Sequence, residues 1–405
     1  MRLGRRAFLA LVGIIAGATL LAGCTAGAGS SNDAVIPGPT GLAAQSPISA
    51  RAFADDFVTV DGRSFSLGDR EFRFVGANIY DAAASSRYSC RQNTAMSPAA
   101  LQKTMRYLHD TAGVTVLRFW AYQTYTQGAT YWAGMDRVLA DARAVGIKVI
   151  PVLEDGPGDC TTVSPRTSKA DYEGDSWFSN GYRQTFGNAR LSYRDYVKQI
   201  TEHYANNPTI LGWSMMNEAD TKARTSDGAP ILVSFATDIA EVIRSVDKRH
   251  LLTVGTQSNG APGASGADFT AVYRLRQIDF AEVHDWGYWG SDTQPMPGGD
   301  GSVPPSAKSG ECAALDAPIG CSFARARALD KPLVVGEAGM KGVTSAERES
   351  RSVRMRAKMH AAFAAGASGY LVWSVTSAET DGYDLRTTTN DPLVTQLKEV
   401  AGLLQ

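Results

Sequence analysis

Residues 210–218 read Ile-Leu-Gly-Trp-Ser-Met-Met-Asn-Glu, a run of apolar and small side chains that ends in Asn217 and Glu218. Residues 332–337 read Pro-Leu-Val-Val-Gly-Glu and end in the same way at Glu337. Near-continuous apolar runs of this length are typical of parallel strands that are buried on both faces. A carboxylate at the end of such a strand needs a partner or a function, because burying an unpaired charge is costly.

Six further short apolar runs accompany these two, and helical patterns separate them. We predict strands over residues 72–80, 114–122, 148–155, 210–218, 251–257, 278–286, 332–339 and 369–375. We predict helices over residues 98–111, 132–145, 193–204, 232–246, 269–276, 323–329, 346–365 and 391–400. Eight such alternations predict an α/β fold, a (β/α)8 TIM barrel. A doubly wound open sheet is the alternative, but residues 76–80 read Gly-Ala-Asn-Ile-Tyr where that fold often has a glycine-rich phosphate loop.

The catalytic groups of such a barrel come from the C-terminal ends of its strands. Besides the two glutamates, the predicted strand ends carry Asn78, Tyr80, Arg118, Trp120, Asn217, His284, Trp286 and Trp373. Glu154, Asp155 and Asp285 are further acidic residues at strand ends and are the next candidates for catalysis. Trp213 lies in the middle of a strand, and we expect it to pack in the core.

Two carboxylates that face each other across a cleft can cleave a glycosidic bond. One must be protonated to assist the leaving oxygen, and the other must be ionised to attack the anomeric carbon. From spacing alone, a structural ion pair, for example with Arg118, explains Glu218 and Glu337 equally well. The aromatic residues at the strand ends favour catalysis, because sugars present apolar C–H faces to flat rings.

Several motifs resemble glycoside hydrolase family 5, and most closely its endo-β-1,4-mannanase branch. Residues 206–213, Asn-Asn-Pro-Thr-Ile-Leu-Gly-Trp, followed by Asn217-Glu218 are similar to the fourth-strand signature of the family. Residues 331–339, Lys-Pro-Leu-Val-Val-Gly-Glu-Ala-Gly, are similar to its seventh-strand nucleophile motif. Further similar segments, at 57–62, 74–80, 113–122 and 381–384, extend the resemblance over about residues 53–405.

The resemblance implies a role for each matching residue. Glu337 resembles the nucleophile of the family, and Glu218 resembles its acid/base. Asn217 resembles the residue that hydrogen-bonds the sugar 2-hydroxyl. Arg118 resembles the arginine that keeps the nucleophile ionised, and His284 resembles the histidine near the acid/base.

The aromatic positions both follow the family and depart from it. Trp373 resembles the platform under the sugar at the cleavage point. The family usually has His-x-Tyr on its sixth strand, whereas this sequence has His284-Asp285-Trp286, with Tyr288 two residues later. This departure leaves the two-carboxylate chemistry in place and leaves the substrate open. The expected substrate-binding residues are Asn217, Arg118, His284, Trp373, Trp120, Trp286, Tyr288, Asn78 and Tyr80.

The first 23 residues resemble an export signal. A basic start with Arg5 and Arg6 precedes an apolar run, and residues 21–24 read Leu-Ala-Gly-Cys, which resembles a bacterial lipobox. The two arginines also resemble a twin-arginine signal. We predict a lipidated Cys24 that anchors the protein at the outer face of a bacterial membrane. A plain signal peptide with a chance cysteine is the alternative.

The remaining chain divides into a tether and one domain. Residues 24–52 are rich in Ala, Gly, Ser and Pro and are predicted to form a flexible tether. Residues 53–405 contain no second linker and no internal repeat, so we expect one glycoside hydrolase domain.

Four cysteines follow the tether, and an even number in an exported protein suggests disulfides. Cys312 and Cys321 are close in sequence and could close one loop. Cys90 and Cys160 would then join two distant loops. Four cysteines allow three pairings, and four free thiols are the alternative.

The composition excludes several classes of protein. With 44% hydrophobic and 20% charged residues, the chain is neither disordered nor fibrous. Forty Lys and Arg balance 41 Asp and Glu, which gives no sign of the basic surface that nucleic acids require. The five histidines include no close pair, and we expect neither a metal nor a cofactor. We expect a monomer whose partners are a polysaccharide or oligosaccharide and, through the lipid, a membrane.

The sequence therefore predicts a retaining endo-β-glycosidase that acts on a β-linked polysaccharide, with β-1,4-mannan as the expected substrate. A glycan-binding surface lipoprotein without turnover is one alternative, which the departure at Trp286 keeps open. A transglycosylase of cell-envelope glycans would use the same residues and is the other.

Overall fold

The structure is a computed structural model. It describes residues 47–91, 95–155, 160, 174–186, 189–257, 260–286, 310–315, 317–376, 382–388 and 390–405. The predicted signal peptide, Cys24, most of the predicted tether and Tyr288 lie outside these residues. Helix α1 (Ala50–Asp55) begins in the last residues assigned to the tether, which was predicted to end at residue 52, and continues into the predicted domain.

A small antiparallel sheet follows α1 and was not predicted. It consists of β1 (Val58–Asp61), β2 (Ser64–Leu67) and β3 (Arg70–Glu71), in that order. Phe65 and Leu67 of β2 pack in one apolar cluster with residues at the starts of the barrel strands, such as Val116 and Val334. The small sheet therefore covers the N-terminal end of the barrel, opposite the end where the sequence places the site.

Eight parallel strands of the described chain form a nearly closed barrel. They are β4 (Phe74–Asn78), β5 (Val116–Trp120), β6 (Lys148–Val152), β7 (Gly212–Ser214), β8 (Leu251–Thr253), β9 (Ala281–Asp285), β10 (Leu333–Ala338) and β11 (Gly369–Val372). Their order is β8-β7-β6-β5-β4-β11-β10-β9. Hydrogen bonds from Asp279 N to Leu252 O (2.8 Å) and from His284 N to Gln257 O (3.1 Å) join the two outer strands. The predicted (β/α)8 fold is confirmed, and each strand lies inside its predicted range.

Helices connect the strands, and each predicted helix is present. They are α2 (Pro98–Ala112), α3 (Ala133–Val145), α4 (Asp175–Ser179), α5 (Tyr193–Tyr204), α6 (Ile231–Val246), α7 (Gly266–Tyr273), α8 (Ile319–Ala328), α9 (Ser345–Ala364) and α10 (Pro392–Leu403). Two short 3-10 helices, Gly181–Arg183 and Gly310–Ala313, and the short α4 were not predicted. Ser97 caps α2 by accepting from Ala100 N, and Gly113 ends it with φ +72°. The left-handed conformation explains why glycine stands there.

Two disulfides tie the loops, and they join the pairs that the sequence favoured. Cys90 is bonded to Cys160, which links the loop after β4 to the loop after β6. Cys312 is bonded to Cys321 across nine residues at the start of α8. Among the described residues, none of the helices combines the length and the apolar character that a membrane crossing requires.

Candidate active site

Two glutamates lie at the C-terminal ends of two barrel strands that are not adjacent in the sheet. Glu218 follows β7, and its φ of +52° puts a non-glycine residue in the left-handed region. Glu337 lies on β10. A carboxylate oxygen of Glu218 and one of Glu337 lie within 4.8 Å of each other. The Glu218 side chain is 18% exposed and the Glu337 side chain 4%, so Glu218 is the more accessible to solvent.

His284 on β9 connects the two glutamates. Its Nδ1 lies 2.8 Å from Glu218 Oε1 and 3.6 Å from Glu337 Oε2. Its Nε2 lies 3.4 Å from Glu282 Oε1. Burial lowers the pKa of His284, but the carboxylates of Glu337, Glu218 and Glu282 raise it by more than burial lowers it. The resulting pKa is about 9. The surrounding carboxylates therefore favour the positively charged form of the imidazole.

Arg118 on β5 contacts several polar side chains of the site and holds them in place. It is fully buried, and its Nη1 donates to Glu337 Oε1 at 2.7 Å. Its Nη2 donates to Asn217 Oδ1 at 2.8 Å, and its Nη1 also reaches Asn78 Oδ1 at 3.3 Å. Its Nε forms an ion pair with Glu282 Oε1 at 3.0 Å. One guanidinium thus orients four polar side chains from four strands or strand ends.

Opposing effects act on the charge of Glu337. Burial raises the pKa of its carboxyl, whereas the charges of His284 and Arg118 lower it and that of Glu218 raises it. The net shift is upward. Arg118 and His284 hold the oxygens of this buried carboxylate in place. Burial makes the carboxyl group more basic, because a charged group is less stable away from water.

The three groups Glu218, His284 and Glu337 are close enough to hold a cation. The donor set does not suit a metal, because a charged imidazole has no free lone pair to offer. Arg118 also already neutralises part of the charge on Glu337. The cluster is better suited to holding and moving a proton.

Two asparagines support this arrangement. Asn217 Nδ2 donates to Asp155 Oδ1 at 3.0 Å, while its Oδ1 accepts from Arg118. Asn78 Nδ2 donates to Gly336 O at 2.9 Å, beside the Glu337 backbone. Both predicted asparagines therefore lie in the cluster and keep fixed amide orientations.

An aromatic wall flanks the charged cluster. Tyr80 stacks on Trp373 with ring centroids 5.4 Å apart, and Trp120 lies 5.7 Å from Trp373. Trp286 packs edge-on against Trp373 at 5.8 Å and against Tyr383 at 5.3 Å. The four predicted aromatic residues within the described chain come together here, and the partly exposed Trp373 contacts each of the other three.

The other acidic candidates have different surroundings. Asp285 accepts from Lys358 Nζ at 2.7 Å and from Tyr370 OH at 2.9 Å, so its partners differ from those of Glu218 and Glu337. Glu154 Oε1 accepts from the backbone N–H of Asp155. Trp213 is fully buried, as expected, and its Nε1 donates to Asp247.

Two members of the site, Glu282 and Tyr383, were not predicted from the sequence. Glu282 lies two residues before His284 on β9, and side chains two apart on a strand face the same way. That spacing could have identified it. Tyr383 comes from a distant loop and meets Trp286 above Gly339, where a Cβ would lie 2.4 Å from the Trp286 ring. No local signal in the sequence indicates that contact.

Comparisons with known proteins identify relatives of this chain. A family model described as Cellulase (glycosyl hydrolase family 5) matches residues 79–379. Mannan endo-1,4-beta-mannosidase 1 of Oryza sativa subsp. japonica is 28% identical over 382 residues, which cover 81% of this chain and 80% of that protein. Mannan endo-1,4-beta-mannosidase A of Podospora anserina is 26% identical over 217 residues, 46% of this chain. That match spans only 56% of the relative's own length.

A solved structure shares the fold. The endo-beta-1,4-mannanase from Thermotoga petrophila superposes with a TM-score of 0.59 at 19% identity, over 82% of this chain and 77% of that one. The family model covers about three quarters of the sequence, from the end of β4 to beyond β11. This chain therefore belongs to glycosyl hydrolase family 5.

Proposed function

We propose that this protein is a retaining endo-β-glycosidase that hydrolyses β-1,4-mannan. The spacing of Glu218 and Glu337, with oxygens within 4.8 Å, is the observation that carries the proposal. Retaining glycosidases hold their two carboxyl groups about 5–5.5 Å apart, whereas inverting enzymes leave about 6.5–9.5 Å for a water. The observed spacing supports attack by a carboxylate instead of attack by a water.

In the first step, Glu337 attacks the anomeric carbon and forms a glycosyl ester. The bond from that carbon to the leaving oxygen breaks, and Glu218 gives its proton to this oxygen. In the second step, Glu218 takes a proton from a water, whose oxygen attacks the same carbon and releases Glu337. Two inversions return the β configuration, and both carboxyl groups return to their initial states.

The charge of the cluster supports these roles. Arg118 and His284 carry two positive charges, and ionised Glu282 and Glu337 carry two negative ones. These four charges cancel, so the five groups together are neutral when Glu218 carries a proton. This is the state that the first step requires. The greater exposure of Glu218 also suits the group that must reach the leaving oxygen and the water.

Sugar binding rests on the aromatic wall and on Asn217. Trp373 is partly exposed and is proposed to lie under the sugar at the cleavage point, since flat rings pack against apolar C–H faces. One amide hydrogen of Asn217 binds Asp155, and we assign the other to the sugar 2-hydroxyl. The names of the relatives support mannan as the substrate.

We propose further that the protein is exported and anchored by a lipid on Cys24. The two disulfides support export, because disulfides persist mainly in oxidising compartments. The lipobox-like residues 21–24 support the anchor.

The test of the catalytic proposal is a substrate screen with stereochemical analysis. Purified protein is incubated with mannan, glucomannan, xylan and cellulose, with reducing ends and product sizes measured and the first-formed anomer followed by proton NMR. We expect internal cleavage, fastest on mannan, with the β anomer formed first. Glu337→Gln is the control and should release nothing.

Other outcomes would contradict the proposal. An α anomer as first product would indicate inversion. Binding without cleavage of any substrate would favour the glycan-binding alternative. Products longer than the added oligosaccharide, without hydrolysis, would favour a transglycosylase.

A further inference from the structure

Glu282 is a buried carboxylate under the catalytic pair. Its Oε1 lies 3.0 Å from Arg118 Nε and 3.4 Å from His284 Nε2, and its Oε2 accepts from Ser214 Oγ at 3.0 Å. The side chain is 1% exposed, so it cannot touch a sugar in the cleft. The backbone makes room for it at Gly336, where a Cβ would lie 2.2 Å from Glu282 Oε1.

We propose that Glu282 is a positioning residue that keeps His284 doubly protonated, so that Glu218 gives its proton to the leaving oxygen and not to the histidine. This inference rests on the proposed function of Glu218 as acid/base. It adds a third carboxylate, which touches no substrate, to the two that react.

The two ring nitrogens of His284 face different carboxylates, Nδ1 that of Glu218 and Nε2 that of Glu282. A neutral imidazole has one donor and one acceptor nitrogen. If Nε2–H faced Glu282, Nδ1 of a neutral ring would accept a hydrogen bond and compete for the proton of Glu218, 2.8 Å away. A doubly protonated ring donates from both nitrogens. Oε1 of Glu218 is then always an acceptor, and the acidic proton must reside on its other oxygen.

Four charged groups face His284 from four parts of the barrel. Glu218 approaches from the end of β7, Glu337 from β10 and Glu282 from β9, while Arg118 on β5 lies behind the two buried glutamates. In the proposed reaction Glu337 becomes an ester and Glu218 changes its protonation state. Glu282 is the carboxylate of these three whose charge is constant. A permanent charge at Nε2 keeps the ring charged through both steps.

The test is a titration of the ring nitrogens by ¹⁵N NMR. His284 is assigned among the five histidines by the signal that disappears in His284→Gln. In the parent we expect both ring nitrogens protonated at pH 7 and deprotonation near pH 9. In Glu282→Gln, which keeps the size and removes the charge, the midpoint should fall towards the ordinary histidine value of about 6.5.

Asp285→Asn is the matched control. It removes a buried carboxylate from the same strand, but one that is bound to Lys358 and Tyr370. It should leave the His284 midpoint where it is. The alkaline limb of the pH profile of kcat/KM should move to lower pH in Glu282→Gln and stay in place in Asp285→Asn.

A neutral His284 at pH 7 in the parent would overturn the inference, and this measurement needs no variant to fold. An unchanged midpoint in folded Glu282→Gln would overturn it as well. Turnover by a parent with a neutral His284 would refute this inference and leave the proposed function standing. A parent that cleaves no β-linked substrate would refute the proposed function, whatever the titration shows.

Discussion

The backbone at Glu218 is held in a conformation that few side chains adopt. Its φ of +52° lies in the left-handed region, which costs a non-glycine residue free energy. The neighbouring Gly255 has φ +79°, and a Cβ there would lie 1.7 Å from Met216 O. The close approach of these two segments fixes the turn after β7. The strain is consistent with a turn that aims the Glu218 carboxyl at Glu337.

The two glutamates should respond differently to removal. Glu337→Ala should abolish turnover of natural substrates, because no ester can form. Glu218→Ala should cost about 10²–10⁴ in rate on natural substrates, yet it should still form and accumulate the ester from an activated aryl β-glycoside. Azide should then rescue Glu218→Ala with a β-glycosyl azide and Glu337→Ala with the α-azide, which product NMR distinguishes. Swapped anomers would mean that the two roles are reversed.

His284 should make stability depend on pH. Its pKa is raised from 6.5 to about 9 in the folded state, so its stabilising effect is complete below pH 6.5 and is lost as pH rises through 9. The difference in free energy of unfolding between the parent and His284→Gln should shrink over that range by about 3 kcal/mol. Lys148 and Lys331, whose pKa burial lowers to about 8, titrate in the same range. The difference between variants, measured by denaturant titration, removes their contribution, and a constant difference from pH 6 to 9.5 would contradict the assignment.

Strand β9 shows how one element serves two purposes. Glu282 and His284 point towards Arg118 and the two glutamates, while Asp285 points the other way and pairs with Lys358 of α9 and Tyr370 of β11. The alternation of a strand therefore separates the charges of the candidate site from those of a buried ion pair. The contacts of Asp285 with Lys358 and Tyr370 hold the end of β9 in place. The next residue, Trp286, packs in the aromatic wall.

The loops around the cleft depend on the disulfides. The Cys90–Cys160 bond spans 70 residues and the Cys312–Cys321 bond spans nine. In the chain-entropy model a longer loop gains more stability, with typical values of about 2–4 kcal/mol. The double variant Cys90→Ser/Cys160→Ser should therefore lose more free energy of unfolding than Cys312→Ser/Cys321→Ser. Equal stability of both variants and the parent would show that neither bond forms in the protein.

The molecule as a whole was more predictable than its site. The strands could be located because buried parallel strands are continuous apolar runs. The runs that contain β7 and β10 lead visibly to Asn217-Glu218 and to Glu337. The sheet β1–β3 was not predicted, because its strands are short and only half-buried. Glu282 was not predicted, although its spacing from His284 on the same strand could have identified it. Tyr383 was not predicted because its contact with Trp286 joins distant segments, which no local pattern encodes.

The anchor can be tested on the whole chain in its host membrane. We expect the parent to fractionate with membranes and Cys24→Ala to be released or left unprocessed, because lipidation needs that thiol. Cys312→Ser is the control and should remain with membranes. Identical fractionation of Cys24→Ala and the parent would show that the lipid is not on this residue.

The central claim is that Glu337 forms a covalent bond with the sugar, and trapping that bond tests it most directly. In activated 2-deoxy-2-fluoro glycosyl fluorides of mannobiose and cellobiose, the fluorine at C2 slows both steps. The good leaving group, fluoride, offsets this effect in the first step only, so the ester should accumulate. Mass spectrometry of the digested protein should find one glycosyl group on the peptide that contains residues 332–339, attached to Glu337, with faster labelling by the mannose compound. No label, or a label on Glu218, Glu154 or Asp155, would contradict the account.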